Sequence, residues 1–321
     1  MFHVRFLKLP AAEARGRAVT LAAVVTVTTD LGESFCEDVG ELAVTAVAGT
    51  EQELLTGGGR PVAATRARWT GGRTARVAVD VPAGAGLVAV AVAGTGALAG
   101  ALAVRSAPLR VVRGAAVYAE PGLVVRRAGP VVVAEATGES IMAHVWDSAV
   151  ALAAHVERAR VLPAGPVRVL ELGAGCGTAG LALARQAGRG SRVLLTDEAP
   201  AEALCRRNMA LNAPAAAVDF AALEWAAAAA APAGAPAAAV VDAAWDVVVA
   251  CDCTYNPDSY GALAAVLARA AGAAGTVLIV HKRRHGGERA LWPALAEAGL
   301  AVVSREPLGA AGVELARLRR N

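Results

Sequence analysis

The chain has 321 residues, is 56% hydrophobic and 18% charged, and carries a formal net charge of +3. That apolar fraction supplies a sizeable core and excludes a disordered or fibrous chain. The weak charge excludes a polycation built to hold nucleic acid, and the length suits one large domain or two ordinary ones.

The first residues, MFHVRFLKLP, lack a continuous apolar stretch, so no signal peptide is expected. β-Branched runs alternating with turn residues then predict short strands at 3–9, 19–29, 42–48, 67–70, 75–81, 87–93, 101–105 and 111–119. Glycine clusters at 57–59, 71–72 and 94–96 punctuate them. Such spacing predicts a β-sandwich or an open barrel over 1–125. The polar run Thr28 to Ser34 reads as a loop. Residues 81–104 carry no charge and are long enough to span a bilayer, but Gly94 and Gly96 break the run, which predicts two buried strands around a turn. The protein is therefore expected to be a soluble monomer without membrane or nucleic-acid partners, cytoplasmic or nuclear.

From about residue 137 the rhythm changes. Asp147 is placed to cap a helix over 148–160. Strands are predicted at 167–172, 192–196, 218–223, 246–251 and 276–281, and helices from 178 and over 200–211, 259–271 and 288–298. Two last strands, 300–305 and 313–319, form a hairpin. Alternating strands and helices imply an α/β domain over 126–321, a Rossmann-like sheet of seven strands with a terminal antiparallel hairpin. The Ala- and Pro-rich stretch 226–244 reads as a low-complexity insertion, and Asn208 and Asn212 as caps on the end of the second helix.

The first strand of this sheet runs into Glu171-Leu-Gly173-Ala174-Gly175-Cys-Gly177. Glycines there let the backbone turn sharply and approach a ligand. Asp197 ends the next strand, 20 residues after Gly177, where a carboxylate accepts ribose hydroxyls. A dinucleotide site would space its glycines G-x-G-x-x-G, and Glu171 would repel a pyrophosphate. A carboxylate before the turn suits a cationic or zwitterionic ligand, which favours S-adenosylmethionine.

These motifs occur in order with Val145-Trp146-Asp147, Leu223-Glu224-Trp225 and Asp252-Cys-Thr-Tyr255. From about residue 137 to 319 the chain resembles the seven-β-strand methyltransferases of the "lysine methyltransferase 16" family, and most resembles its fungal members, with an N-terminal extension. The resemblance implies S-adenosylmethionine as cofactor and a lysine of a protein substrate as acceptor. It implies that Gly173, Ala174 and Gly175 line the methionine moiety with Glu171 beside it, that Asp197 holds the ribose, and that Trp225 packs on the adenine. Trp146 and Cys251 would also contact the cofactor, and Asp252 and Tyr255 would be catalytic. Small-molecule N-methylation, for instance of a pyridine, and a silent scaffold remain open.

Five cysteines, at 36, 176, 205, 251 and 253, are odd in number and irregular in spacing, which argues against a disulfide framework. Cys251, Cys253, His281 and His285 invite a zinc reading, but C-x-C lacks the usual C-x-x-C spacing, and no metal is expected. The run Lys282-Arg-Arg-His285 reads either as a solvated basic turn or as a contact for an acidic substrate.

Overall fold

The computed structural model describes residues 1–15, 18–82, 84–112, 115–118, 120–138, 140–284, 289–309 and 312–321. The chain divides into two compact units, Met1–Arg127 with Val132–Ser140, and Ala128–Val131 with Ile141–Asn321.

The first unit contains strands β1 (Phe2–Arg15), β2 (Ala18–Thr29), β3 (Val39–Ala48), β4 (Arg60–Thr70), β5 (Ala75–Pro82), β6 (Leu87–Thr95), β7 (Val104–Ser106), β8 (Leu109–Val112), β9 (Ala115–Tyr118), β10 (Leu123–Ala128) and β11 (Val131–Ala136), with a short helix α1 (Glu51–Leu55). β1, β2 and β5 form a three-stranded sheet, and the remaining strands form an eight-stranded one. Both sheets contribute to one core. Val4, Leu21, Val25 and Val79 come from the first, and Leu42, Val44, Val88 and Val92 from the second. Val77, Val79 and Val81 alternate inward along β5, the period expected of a strand with one face in a sandwich. Trp69 is fully buried, and its indole N–H donates to the Cys36 carbonyl at 3.0 Å. α1 starts at a capping box in which Thr50 and Glu53 satisfy each other's backbone N–H.

Three expectations change here. The strand expected at 111–119 is a hairpin of β8 and β9. The strand expected at 101–105 shortens to β7 and shifts to 104–106. The boundary expected at 125/126 falls inside β10, which with β11 belongs to the eight-stranded sheet. The charge of Arg126 hides this hairpin from an apolar pattern. Its guanidinium is buried only because Glu135, on β11, lies 3.1 Å away, while the carbonyls of Val4 and Ala103 accept at 2.9 and 3.2 Å.

The second unit contains α2 (Asp147–Val156), β12 (Arg168–Leu172), α3 (Thr178–Ala187), β13 (Arg192–Asp197), α4 (Glu202–Asn212), β14 (Ala217–Ala222), α5 (Trp225–Ala230), α6 (Pro236–Val241), β15 (Trp245–Cys251), α7 (Tyr260–Ala270), β16 (Ala271–Lys282), α8 (Leu291–Glu297), β17 (Leu300–Pro307) and β18 (Val313–Arg320). The sheet order is β14-β13-β12-β15-β16-β18-β17. The first five are parallel, and β18 runs antiparallel to both its neighbours. This is the seven-stranded, Rossmann-like sheet with its terminal hairpin. Nearly continuous apolar runs such as Val247–Cys251 fit strands covered on both faces. Leu170, Leu172, Val248, Ala250, Val277 and Ile279 pack against Leu263 and Leu267 of α7, while α2 and α3 pack against the other face.

The stretch 226–244 is not a structureless insertion. Pro232 separates α5 from α6, and Pro236 opens α6 at its first turn, where a missing N–H is harmless. Ala228 and Val241 are buried in the sheet's core, and Ala238 is buried as well. Among the described residues no helix is long and apolar enough to cross a membrane. The described residues within 81–104 include the end of β5, β6, a 3-10 turn (Gly96–Leu98) and the start of β7.

Candidate functional site

Parallel strands place all their carboxyl ends at one edge of the sheet, which is where open α/β sheets bind ligands. At that edge Leu172 leads into the glycine turn, with Asp197 and Cys251 at the ends of the flanking strands β13 and β15. Gly173 and Gly175 have φ of +65° and +52°, a region that side chains with a Cβ rarely enter. Space is also short at Gly173, where a Cβ would stand 2.6 Å from the Cys253 sulfur and 3.0 Å from the Trp225 ring.

The turn is tied down from three sides. Ala174 N–H donates to the Thr196 carbonyl at 2.9 Å, and Gly175 N–H donates to Asp197 Oδ2 at 2.7 Å. Asn208 Nδ2 donates to the Cys176 carbonyl at 2.9 Å. Asn208 therefore braces the turn rather than capping α4, and it is Asn212 that donates to a last-turn carbonyl, that of Asn208. Asp197 Oδ1 accepts from Glu198 N–H at 2.7 Å. Each Asp197 oxygen keeps a second lone pair for a ligand hydroxyl.

Glu171 is almost fully buried, and its Oε2 accepts from Gly180 N–H at 2.9 Å, which links β12 to the first turn of α3. Burial pushes its carboxyl up to about 8, partly opposed by the Gly180 N–H. Burial also raises Asp197, against the two backbone N–H groups it accepts.

A cavity of about 360 Å³ opens over this turn, within the range of small-molecule sites. All ten residues expected at the site line it: Trp146, Glu171, Gly173, Ala174, Gly175, Asp197, Trp225, Cys251, Asp252 and Tyr255. Met142, His144 and Glu198 line it too and carry no motif that would have singled them out; Cys253 also lines it, and the sequence offers it only as the C-x-C partner of Cys251. Cys253 packs beneath the turn, where its thiol donates to the Leu172 carbonyl at 3.2 Å. The lining includes six carboxyl groups, of Glu171, Asp197, Glu198, Glu224, Asp252 and Asp258, and no lysine or arginine among the described residues. Such a wall attracts cations and repels phosphates. Glu224 also caps α5, accepting from Ala226 and Ala227 N–H at 3.0 and 2.8 Å, which fixes the adjacent Trp225 at the helix start.

Trp146, not Asp147, is the N-cap residue of α2, and its indole N–H donates to the Ile141 carbonyl at 3.1 Å. Asp147 begins the helix proper and forms an ion pair with Lys282 at 2.7 Å. Asp252 adopts φ +56°, an uncommon value for a residue with a side chain. Its carboxylate accepts from Ser148 N–H at 3.2 Å and pairs with Arg284 at 3.1 Å. Burial raises its pKa, and the Arg284 charge opposes the rise. Tyr255 stands at the rim, half exposed. Lys282 and Arg284 thus turn inward onto carboxylates instead of offering a free basic patch; His285 lies outside the described residues. His281 is buried beside Trp292, and no group of potential metal ligands occurs among the described residues.

A family model described as "Lysine methyltransferase" matches residues 127–297, more than half of the chain. No curated protein sequence matches. Among solved structures, the mitomycin 7-O-methyltransferase MmcR aligns at 16% identity and a TM-score of 0.41, covering 54% of this chain and 54% of that one. A ribosomal protein L11 methylase from Lactobacillus delbrueckii subsp. bulgaricus aligns at 20% identity and 0.39, covering 54% and 79%. A TehB-like methyltransferase from Corynebacterium glutamicum aligns at 15% and 0.37, covering 53% and 88%.

Proposed function

The chain belongs to the lysine methyltransferase family, and from that premise we propose that it moves a methyl group from S-adenosylmethionine to the side-chain amine of a lysine in a protein. The observation that carries this reading is the acidic cavity over the glycine turn. Both expected ligands, a sulfonium with an ammonium group and a lysine, are cationic, and every charged residue on its described wall is a carboxylate.

The residues fit the cofactor. Gly173, Ala174 and Gly175 line the cavity where the methionine moiety would lie, Asp197 has lone pairs for the ribose hydroxyls, and the Trp225 ring lies beside Gly173 for the adenine. Trp146, Glu171 and Cys251 complete the wall. When bound, S-adenosylmethionine supplies an electrophilic methyl group, so the chain has little acid–base chemistry to perform. Its work is alignment and water exclusion. A lysine of pKa about 10.4 must enter neutral or lose its proton in the site. Asp252 and Tyr255 sit where they can hold that amine and shape its channel, Asp252 from the floor and Tyr255 from the rim.

Purified protein incubated with methyl-labelled S-adenosylmethionine and a cell lysate should label polypeptides, and mass spectrometry should locate the label on lysine. Label confined to small molecules or nucleic acid would overturn the protein-substrate reading. No cofactor binding by calorimetry would leave a scaffold instead.

A further inference from the structure

Arg284 follows β16, 32 residues after Asp252, in the basic run Lys282-Arg-Arg-His285. Its side chain is only 10% exposed. One guanidinium nitrogen donates to both oxygens of Asp252, at 3.2 and 3.1 Å. The guanidinium carbon also lies 5.7 Å from the centre of the Trp146 ring, within cation–π range. Asp252 and Trp146 both line the cavity, so a single buried cation touches two of its walls. The backbone N–H of Ser148, in the first turn of α2, reaches Asp252 from the other side. The Asp252 carboxylate is thus gripped between a helix N-terminus and a guanidinium, on a residue already in a left-handed conformation.

We propose that Arg284 is a positioning residue for methyl transfer, which holds the Asp252 carboxylate ionised and in place at the acceptor end of the cavity and steadies Trp146 beside it. The inference rests on the functional reading above. A lysine ammonium in the same place would be a point charge. It would keep the ion pair but lose the planar group that lies against the Trp146 ring. Among the described residues, the charged and titratable groups facing Asp252 are Arg284 after β16 and, on its own segment, the Cys251 and Cys253 thiols, both held neutral by burial. Asp147 on α2 is neutralised by Lys282.

The test compares the parent with Arg284→Gln and Arg284→Lys, each alone and with Asp252→Asn, in two measurements. The first needs no acceptor. Melting temperatures are recorded from pH 5 to 8. Without its cation the buried Asp252 holds its proton to higher pH, so the stability gap between parent and Arg284→Gln should widen as pH rises. The gap should be much smaller for Arg284→Lys, and its pH dependence should vanish when Asp252 is Asn. A gap constant with pH would mean simple packing and overturn the proposal. The second measurement is methyl transfer to lysate polypeptides. Arg284→Gln should lower kcat at least tenfold, with its acid limb moved to higher pH, and Arg284→Lys should recover part of the loss. Parental turnover by Arg284→Gln at every pH would overturn the proposal as well. If the parent labels no polypeptide, the lysine reading fails, and the melting series alone decides whether Arg284 holds Asp252.

Discussion

The two units bury charge in opposite ways. In the first, antiparallel strands close a sandwich whose most buried ion pair, Arg126 with Glu135, is saturated by backbone carbonyls and leaves nothing for a ligand. In the second, parallel strands bring Glu171, Asp197 and Asp252 to one edge around a cavity, where Arg284 pairs with Asp252 while Glu171 and Asp197 accept from backbone N–H groups, and burial raises all three carboxyl pKa values. Desolvated carboxylates in a cleft are poised to meet a cation, while a closed pair only holds structure. The difference follows from strand direction: parallel strands gather their carboxyl ends at one place, and an antiparallel sandwich scatters them.

Substitutions can break that contrast. Gly175→Val should abolish S-adenosylmethionine binding by calorimetry, because valine strains a φ of +52° and its Cβ would stand 3.0 Å from the Met142 carbonyl. Circular dichroism should remain that of the parent; retained binding would show that the turn is not the cofactor's cradle. In the other unit, Glu135→Ala leaves the Arg126 charge buried and uncompensated. It should lower stability by about 3–5 kcal/mol in denaturant titrations yet leave cofactor affinity within twofold. A matching loss of affinity would mean that the two kinds of buried charge are not separate.

Asp252→Asn tests the acceptor end. It should lower kcat on the order of a hundredfold, the penalty of misaligning an amine by about an ångström, with little change in cofactor affinity. Tyr255→Phe, which keeps the half-exposed ring, should lose less. Equal turnover in both would reduce these residues to a structural turn.

The smallest effect is a pH dependence. With its carboxyl near 8 in the ligand-free site, Glu171 is largely protonated at pH 7, and a bound cation favours its ionised form. Cofactor binding should therefore release protons and tighten as pH rises through about 8, seen by calorimetry in buffers of different ionisation enthalpy. The sign for folding is opposite. A carboxyl raised in the folded state stabilises fully below its unfolded pKa, and that contribution is lost as pH rises through 8. Glu171→Gln should thus gain on the parent in melting temperature between pH 5 and 8, and its cofactor affinity should lose this pH dependence. Parallel curves would place the raised carboxyl elsewhere.

Much of the second unit was legible in the sequence, because Gly and Pro punctuate its strands and helices and each strand end carries a polar signal. Glu171, Asp197 and Asp252 each sit just past or within an apolar run, a pattern that strand direction converts into one cavity wall. What escaped depends on partners distant in sequence. β10 carries Arg126, whose burial makes sense only with Glu135 nine residues on. Asp147 reads as a cap until Lys282, 135 residues away, takes its carboxylate. Met142 lies in a three-residue 3-10 turn, Ile141–Ala143, and His144 just after it, with no periodicity to betray either. The helices of 226–244 were obscured because alanine is common to helix and low-complexity sequence alike, and only burial against α7 tells them apart.

The five cysteines are all reduced and buried, and their distribution gives the protein a built-in reporter. Cys36 lies in the core of the first unit; Cys176, Cys205, Cys251 and Cys253 lie in the second. A buried thiol reacts with an alkylating reagent only when its surroundings open. Peptide mass mapping after timed labelling therefore follows opening unit by unit: an adduct on Cys36 marks the sandwich, adducts on the other four thiols the parallel sheet. Added S-adenosylmethionine should slow the second class and leave the first unchanged, so local protection by a ligand can be followed without introducing any label site.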